Sequence, residues 1–269
     1  AARAALEAGH TFYTPAAGLR ELREEVAHYY GTRFGLDYSF DEVMIGSGGK
    51  PLLFEACAAL LNPGDEAIII APAFVSYLEQ VRFLDATPVV IETDPQTLDF
   101  ALDDIRAAIT DRTRIIMLNA PNNPSGRIYG DDLVIGLCEL AMEHDLTIIN
   151  DEIYERIVFD GAEYRNPLNL CPEARAHVLH INGASKSLAM TGWRIGFAIG
   201  PKELIRRMTM LQGHNTSGPN SIAQWATLGG LQHGQDDIDA MAAEYQKRKD
   251  LITERLGRMP YLRYIPPEG

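Results

Sequence analysis

The sequence predicts an α/β fold, a three-layer α/β/α sandwich built on a mostly parallel seven-stranded sheet. Three observations carry this expectation. Short β-branched runs alternate with longer amphipathic ones along the chain. The short runs are continuously apolar rather than alternating, as in parallel strands covered on both faces. Polar residues recur directly after them, where open α/β sheets bind their ligands. The length of 269 residues allows one large domain or two modest ones, at about 150 residues per domain. With 46% hydrophobic and 23% charged residues, the composition excludes wholesale disorder, a collagen-like repeat and a disulfide scaffold.

Strands are expected at 42–45, 67–70, 88–91, 114–118, 146–150, 178–181 and 194–199, from their Val, Ile and Leu content. Helices are expected between most of them, at 50–61, 75–84, 102–109 and 133–144. The interval between Ile181 and Arg194 is too short for a full crossover helix, so the last strand is expected to run antiparallel. From about Pro201 the pattern is helical and ends in a charged helix over 236–257. Residues 261–265 read as the start of a further strand, the first of a second, smaller domain. The expected division is therefore 1–260 for a large domain and 261–269 for the opening of a small C-terminal one.

The net charge is −13, which opposes a phosphate backbone over most of the surface and argues against a nucleic-acid partner. No run of about 18 apolar residues is present, so no membrane span is expected. Cys57, Cys138 and Cys171 do not pair evenly and show no metal-ligand spacing. They fit a reducing compartment, and a cytoplasmic location is expected.

Four segments carry candidate chemistry. Ser185-Lys186 follows a buried strand, and Lys186 is a candidate amine nucleophile for a carbonyl compound if its pKa is depressed. Arg194, eight residues on, can return to the same place and bind a phosphate through its planar fork. The plain alternative for Lys186 is a solvent-facing lysine at a helix start. In Asn150-Asp151-Glu152-Ile153-Tyr154, Asp151 at a strand end can meet a cation or a ring nitrogen, with Tyr154 one helical turn away. The alternative for Asp151 is a helix N-cap. Asn119-Ala120-Pro121-Asn122-Asn123-Pro124-Ser125-Gly126 reads as a rigid turn, from which Asn123 can present its amide to a site or simply form the turn. Gly46-Ser47-Gly48-Gly49-Lys50 joins a strand to a helix and offers backbone N–H groups to an anion. It matches neither the P-loop nor the dinucleotide fingerprint.

Taken in order, Asn-Pro-Ser-Gly, Asp-Glu-Ile-Tyr and Ser-Lys with an arginine eight residues later resemble the large domain of fold-type I, class I pyridoxal phosphate-dependent aminotransferases. The segments 183–196 and 221–228 resemble the thermophile-type bacterial aspartate aminotransferases in particular, and the likeness covers nearly the whole chain. The resemblance implies that Lys186 forms the Schiff base with pyridoxal 5′-phosphate and then moves the substrate proton. It implies that Asp151 pairs with the pyridine nitrogen and that Tyr154 and Asn123 hydrogen-bond the ring hydroxyl. Arg194, Gly48, Gly49 and Lys50 fall at the phosphate-binding positions, with Ser185 a substitute for the serine that many relatives carry where this chain has Gly183. Phe74 falls where an aromatic ring stacks on the cofactor, the alternative being a core phenylalanine.

Further implications concern substrate and assembly. Lys50 matches a lysine that reads a distal carboxylate in the thermophile-type branch, so substrate contacts fall to Lys50, Phe74 and Asn123; an exposed first-turn lysine is the plainer reading of Lys50. Tyr13 matches a tyrosine that reaches the partner subunit's cofactor phosphate, and Ser217 falls near the same place, implying a homodimer. Read from the residues alone, both are ordinary surface positions. The family's α-carboxylate arginine lies in the small C-terminal domain, so this chain is expected to be the large-domain part of a longer enzyme. The implied activity is ping-pong transfer of an amino group from L-aspartate to 2-oxoglutarate. Alternatives are transamination of prephenate or aromatic substrates, another pyridoxal phosphate reaction such as a lyase or decarboxylase, and a non-enzymatic sensor domain of a transcription regulator.

Overall fold

A computed structural model describes residues 1–269. The elements follow in the order α1 (Ala2–Glu7), α2 (Arg20–Phe34), β1 (Val43–Gly46), α3 (Gly49–Leu60), β2 (Glu66–Ala71), α4 (Ser76–Phe83), β3 (Thr87–Glu92), α5 (Leu102–Ala108) and β4 (Thr113–Asn119). They continue with α6 (Asp131–Glu143), β5 (Thr147–Asp151), α7 (Pro167–Leu170), β6 (Val178–Gly183), α8 (Ala184–Ser187), β7 (Gly196–Ile199), α9 (Lys202–Asn215), α10 (Ser221–His233) and α11 (Gln235–Gly257). All seven expected strands are present, with ends shifted by one or two residues.

The strands form one sheet in the order β1-β7-β6-β5-β4-β2-β3. Pairs among β2 to β6 are parallel, whereas β7 runs antiparallel to both β6 and β1. The short interval before β7 leaves no room for a crossover, as the spacing predicts. Alternate residues of each strand serve different cores. Ile148 and Val178 pack with α2 and α6 on one face, while Ile149, Leu179 and Ile181 pack with α3, α4 and α9 on the other. Both faces are covered, so the strands are apolar throughout.

This topology gathers the chemistry at one edge. β4, β5 and β6 end there at Asn119, Asp151 and Gly183. β1 ends at Gly46 opposite Gly196, where antiparallel β7 begins, so the turn before β7 returns Arg194 to the same edge. β7 therefore starts two residues later than expected. Arg194 itself lies outside the strand in the left-handed region, at φ 56°, a conformation that costs a non-glycine residue about 1–3 kcal/mol.

Two local expectations are corrected. Residues 261–265 form no strand; no neighbouring strand is there to pair with. The chain instead folds back: Glu268 N donates to Gly126 O at 2.8 Å, and the Glu268 carboxylate accepts from Arg127 Nη1 at 2.6 Å and Ile128 N at 2.8 Å. Nor does a helix follow Asp151. Residues 153–156 form turns, so Asp151 caps no helix and Tyr154 is placed by the turn rather than by helical spacing. The charged helix α11 appears as expected, with Asp236 and Asp237 in its first turn, Arg255 in its last and only Ile238 buried. No helix is long and apolar enough to cross a membrane.

Candidate active site

At the gathered strand ends lies a cavity of about 250 Å³. Gly49, Lys50, Phe74, Asn123, Asp151, Tyr154, Ser185, Lys186 and Arg194 line it, so nine of the sequence-derived residues meet in one place. Gly48 stands directly behind them, whereas Tyr13 lies outside, 96% exposed on the loop between α1 and α2. Ser217 is also exposed, just past α9.

Each residue is placed by an element. Gly48 precedes α3 with φ 103°, and a Cβ there would sit 2.3 Å from Arg194 Nη2, so only glycine lets the helix start approach the guanidinium. Arg194 is steadied by Nη1 donating to Thr191 O at 2.9 Å. Gly183 has a different reason. A Cβ there would meet Ile195 O at 2.8 Å and Gly196 Cα at 2.9 Å, so the close pairing of β6 with β7 crowds any side chain at this position, including the serine that the family resemblance offers. Ser185, two residues on, lines the cavity instead.

Asn123 is anchored through its backbone: its N–H donates to Asn119 Oδ1 at 2.7 Å, while Asn119 Nδ2 donates to Asp151 O at 2.8 Å. The turn is closed by Asn122 Oδ1, which accepts from Ser125 N and Oγ. Phe74 is half-buried and packs against Tyr77 edge-to-face, with ring centroids 5.6 Å apart. Lys50 Nζ lies 5.0 Å from the Phe74 ring centre and Lys186 Nζ 5.3 Å from that of Tyr154.

The electrostatics are distinctive for so acidic a chain. Lys50, Lys186 and Arg194 bring three cations to the cavity and form no ion pair within the chain. Asp151 is the single carboxylate among the lining residues. Burial pushes it up to about 6, against the Tyr77 hydroxyl, the Ile153 N–H and the charge of Lys186, which favour the anion. Tyr77 Oη donates to Asp151 Oδ2 at 2.6 Å.

Asn119, a polar residue at a strand end, lines the cavity as its position suggests; Tyr77, Leu53, Ile153 and Thr191 also line it and were not singled out as site residues from the sequence. Tyr77 carried a usable signal. It lies three residues after Phe74 at the start of an expected helix, and a buried tyrosine hydroxyl needs an acceptor. The others are ordinary residues that only the folded chain brings together.

Residues 1–269 match the sequence model of the family described as aminotransferase class I and II. A probable aspartate/prephenate aminotransferase of Thermus aquaticus is 43% identical over 274 residues, covering 100% of this chain and 70% of its own length. An aspartate aminotransferase of Geobacillus stearothermophilus is 39% identical over 270 residues, covering 100% and 69%. Among solved structures, aspartate aminotransferase from Thermus thermophilus with maleate superposes with a TM-score of 0.94 at 41% identity, covering 100% of this chain and 70% of that one. The aspartate aminotransferase from Rhizobium meliloti gives 0.96 at 38% identity, covering 100% and 68%.

Proposed function

The chain belongs to the aminotransferase class I and II family and is a pyridoxal phosphate-dependent transaminase, and from this premise we propose that it transfers the amino group of L-aspartate to 2-oxoglutarate. The observation that carries the reading is one cavity holding a lysine amine, a buried carboxylate and two further cations free of ion pairs. The residues present fit pyridoxal phosphate. The α3 N-terminus, the Gly48 cradle, Ser185 and Arg194 suit a phosphate, and Asp151 suits a protonated ring nitrogen.

When bound, the cofactor supplies a carbonyl carbon that bonds an amine and a ring that accepts the electron pair released at the substrate's α-carbon. The chain's residues do the rest. Gly48, Gly49, Ser185 and Arg194 hold the phosphate, and Phe74 covers one ring face. Asn123 and Tyr154 hold the ring hydroxyl, while Asp151 as an anion keeps a proton on the ring nitrogen. Lys186 Nζ would be the amine that holds the cofactor through its carbonyl carbon, and as a free amine it would move the proton released at the substrate's α-carbon. Lys50 at the cavity rim binds the distal carboxylate of a dicarboxylic substrate. The relative described with maleate, itself a dicarboxylate, supports this choice.

The same reading includes a homodimer in which Tyr13 reaches the partner's site. Phe12 and Tyr13 are adjacent and expose 82% and 96% of their surface, which supports it. Residues 261–269 are read as the opening of a small C-terminal domain, and the 70% coverage of the relatives supports this. A cytoplasmic location is proposed on three free, buried cysteines. Prephenate is a second candidate acceptor, favoured by the likeness to the probable aspartate/prephenate aminotransferase of Thermus aquaticus.

The test is an absorbance spectrum of the protein with pyridoxal phosphate, before and after L-aspartate, with Lys186→Ala beside it. A visible band that needs Lys186 and moves to the near ultraviolet with aspartate is expected, reversed by 2-oxoglutarate or by prephenate. A band that another amino acid moves and aspartate does not would overturn the substrate. No band in a folded protein would overturn the site assignment.

A further inference from the structure

Asp151 is buried, yet its side chain has few partners. Ile153 N reaches Oδ1 only at 3.3 Å, and the one short hydrogen bond comes from Tyr77 Oη to Oδ2 at 2.6 Å. Tyr77 is 2% exposed and sits in the first turn of α4. Burial and the adjacent Asp151 hold its hydroxyl well above the ordinary phenol range, so it keeps its proton and can only donate to the carboxylate. The same side chain meets Phe74 edge-to-face at 5.6 Å, and its N–H donates to Phe74 O at 3.0 Å. One helical turn thus touches both groups assigned to the cofactor ring.

We propose that Tyr77 is a positioning residue for the transamination: its hydroxyl fixes the Asp151 carboxylate towards the ring nitrogen, and its ring braces the stacking face of Phe74. The proposal rests on the functional reading above and adds a residue to it. Other charged or titratable groups act on the same carboxylate. Lys186 faces Asp151 across the cavity and favours its anion. Lys50, Arg194 and Tyr154 line the same cavity, and Tyr129 acts on the Tyr77 hydroxyl from outside it. Among these, Tyr77 alone donates a side-chain hydrogen bond to Asp151. Its loss leaves a buried carboxylate with one long backbone contact, and such a carboxylate is more readily protonated. A protonated Asp151 cannot hold a proton on the ring nitrogen.

The experiment has two readouts. The first is the Asp151 carboxyl titration in ligand-free protein, followed by infrared spectroscopy with ¹³C-aspartate and assigned with Asp151→Asn. It is expected to bend near pH 6 in the wild type and roughly one unit higher in Tyr77→Phe. The second is the dissociation constant of pyridoxal phosphate at pH 6.5, where a one-unit rise from about 6 cuts the Asp151 anion about threefold. Tyr77→Phe should raise it about threefold there in the wild-type background, less at pH 8, and hardly at all in Asp151→Asn. Replacing Tyr77 with 3-fluorotyrosine keeps the packing, strengthens the donor and should move the titration the opposite way, which covers a failure of Tyr77→Phe to fold. A titration indifferent to both replacements, or an equal affinity loss in the Asp151→Asn background, would overturn the proposal. A wild type that binds no cofactor would instead sink the functional reading, because the ligand-free titration stands apart from it.

Discussion

Asp151 and Glu152 are consecutive acids, both buried, and they end in opposite chemical situations. Asp151 closes β5 facing α3 and α4, where it meets Tyr77 and the cation-lined cavity. Glu152 turns to the other face of the sheet, into a closed cluster with Tyr30, Tyr164, Asn150, Asn166 and His180. The Glu152 carboxyl accepts from two tyrosines and two asparagines, and the cluster is sealed from water. Burial pushes both acids up, Asp151 to about 6 and Glu152 to about 8. The difference lies in what remains unused. Glu152 is saturated by neutral donors and serves the fold, while Asp151 has few donors and faces cations, which leaves it available to a ligand.

His180 follows the same logic. Two amide groups, Asn150 Nδ2 and Asn166 Nδ2, approach its Nδ1 at 3.2 Å, so Nδ1 accepts and the ring is neutral. Burial holds its pKa down to about 3. Its approach to Glu152 at 3.7 Å is therefore not an ion pair.

Removing one group from the cavity and one from the sealed cluster separates their roles most clearly. Lys186→Ala should lower the amino-transfer rate by about 10⁴-fold or more, while Glu152→Gln should stay within about tenfold per folded molecule. Equal losses in single-turnover rates would erase the distinction. Next in size, Glu152→Ala strands four buried donors and should cost about 3 kcal/mol or more in urea denaturation.

Asp151→Asn should do the reverse to the ligand-free fold. An acid whose folded pKa lies near 6 against 3.8 unfolded destabilises the folded state fully above pH 6 and not at all below about pH 4. The variant should therefore gain about 2–3 kcal/mol at pH 8, while binding pyridoxal phosphate far more weakly. No gain at pH 8 would mean that Asp151 carries no such burden.

A subtler test uses the two titrating groups of the sealed cluster. Unfolded chain takes up a proton on His180 below about pH 6.5 and the folded protein does not until about 3, so acidification destabilises. Folded Glu152 holds a proton up to about pH 8 that the unfolded chain releases above 4.5, so acidification stabilises. Between about pH 4.5 and 6.5 these two slopes oppose each other. His180→Asn should become more stable on acidification across that window, and Glu152→Gln less stable, each by about 1.4 kcal/mol per pH unit relative to the wild type. Parallel denaturation curves for all three proteins would refute this. The smallest effect belongs to Gly183→Ser, where crowding against Ile195 O should cost about 1–2 kcal/mol in the same assay.

Much of the site was legible in the sequence. Asp151 ends a strand, Lys186 and Asn123 lie within four residues of strand ends, and strand ends at one sheet edge converge. Tyr154 was placed correctly for a partly wrong reason, since a turn rather than a helix carries it. The strand expected at 261–265 failed because a β-branched or aromatic run becomes a strand only beside another one, and none is available there. Tyr77 was missed because its partner is 74 residues away, on another element.

By itself, then, the sequence determined the alternation of strand and helix, the antiparallel return before β7 and the types of residue that stand at strand ends. These are local matters of period, propensity and connection length. The tertiary structure alone decided which of two neighbouring acids faces a cavity and which is sealed away, and that a side chain at residue 183 would be crowded. It also decided that three like-charged side chains stand together in so acidic a protein. Each of these depends on what the opposing element presents across the sheet, a property of packing that no single stretch of chain contains.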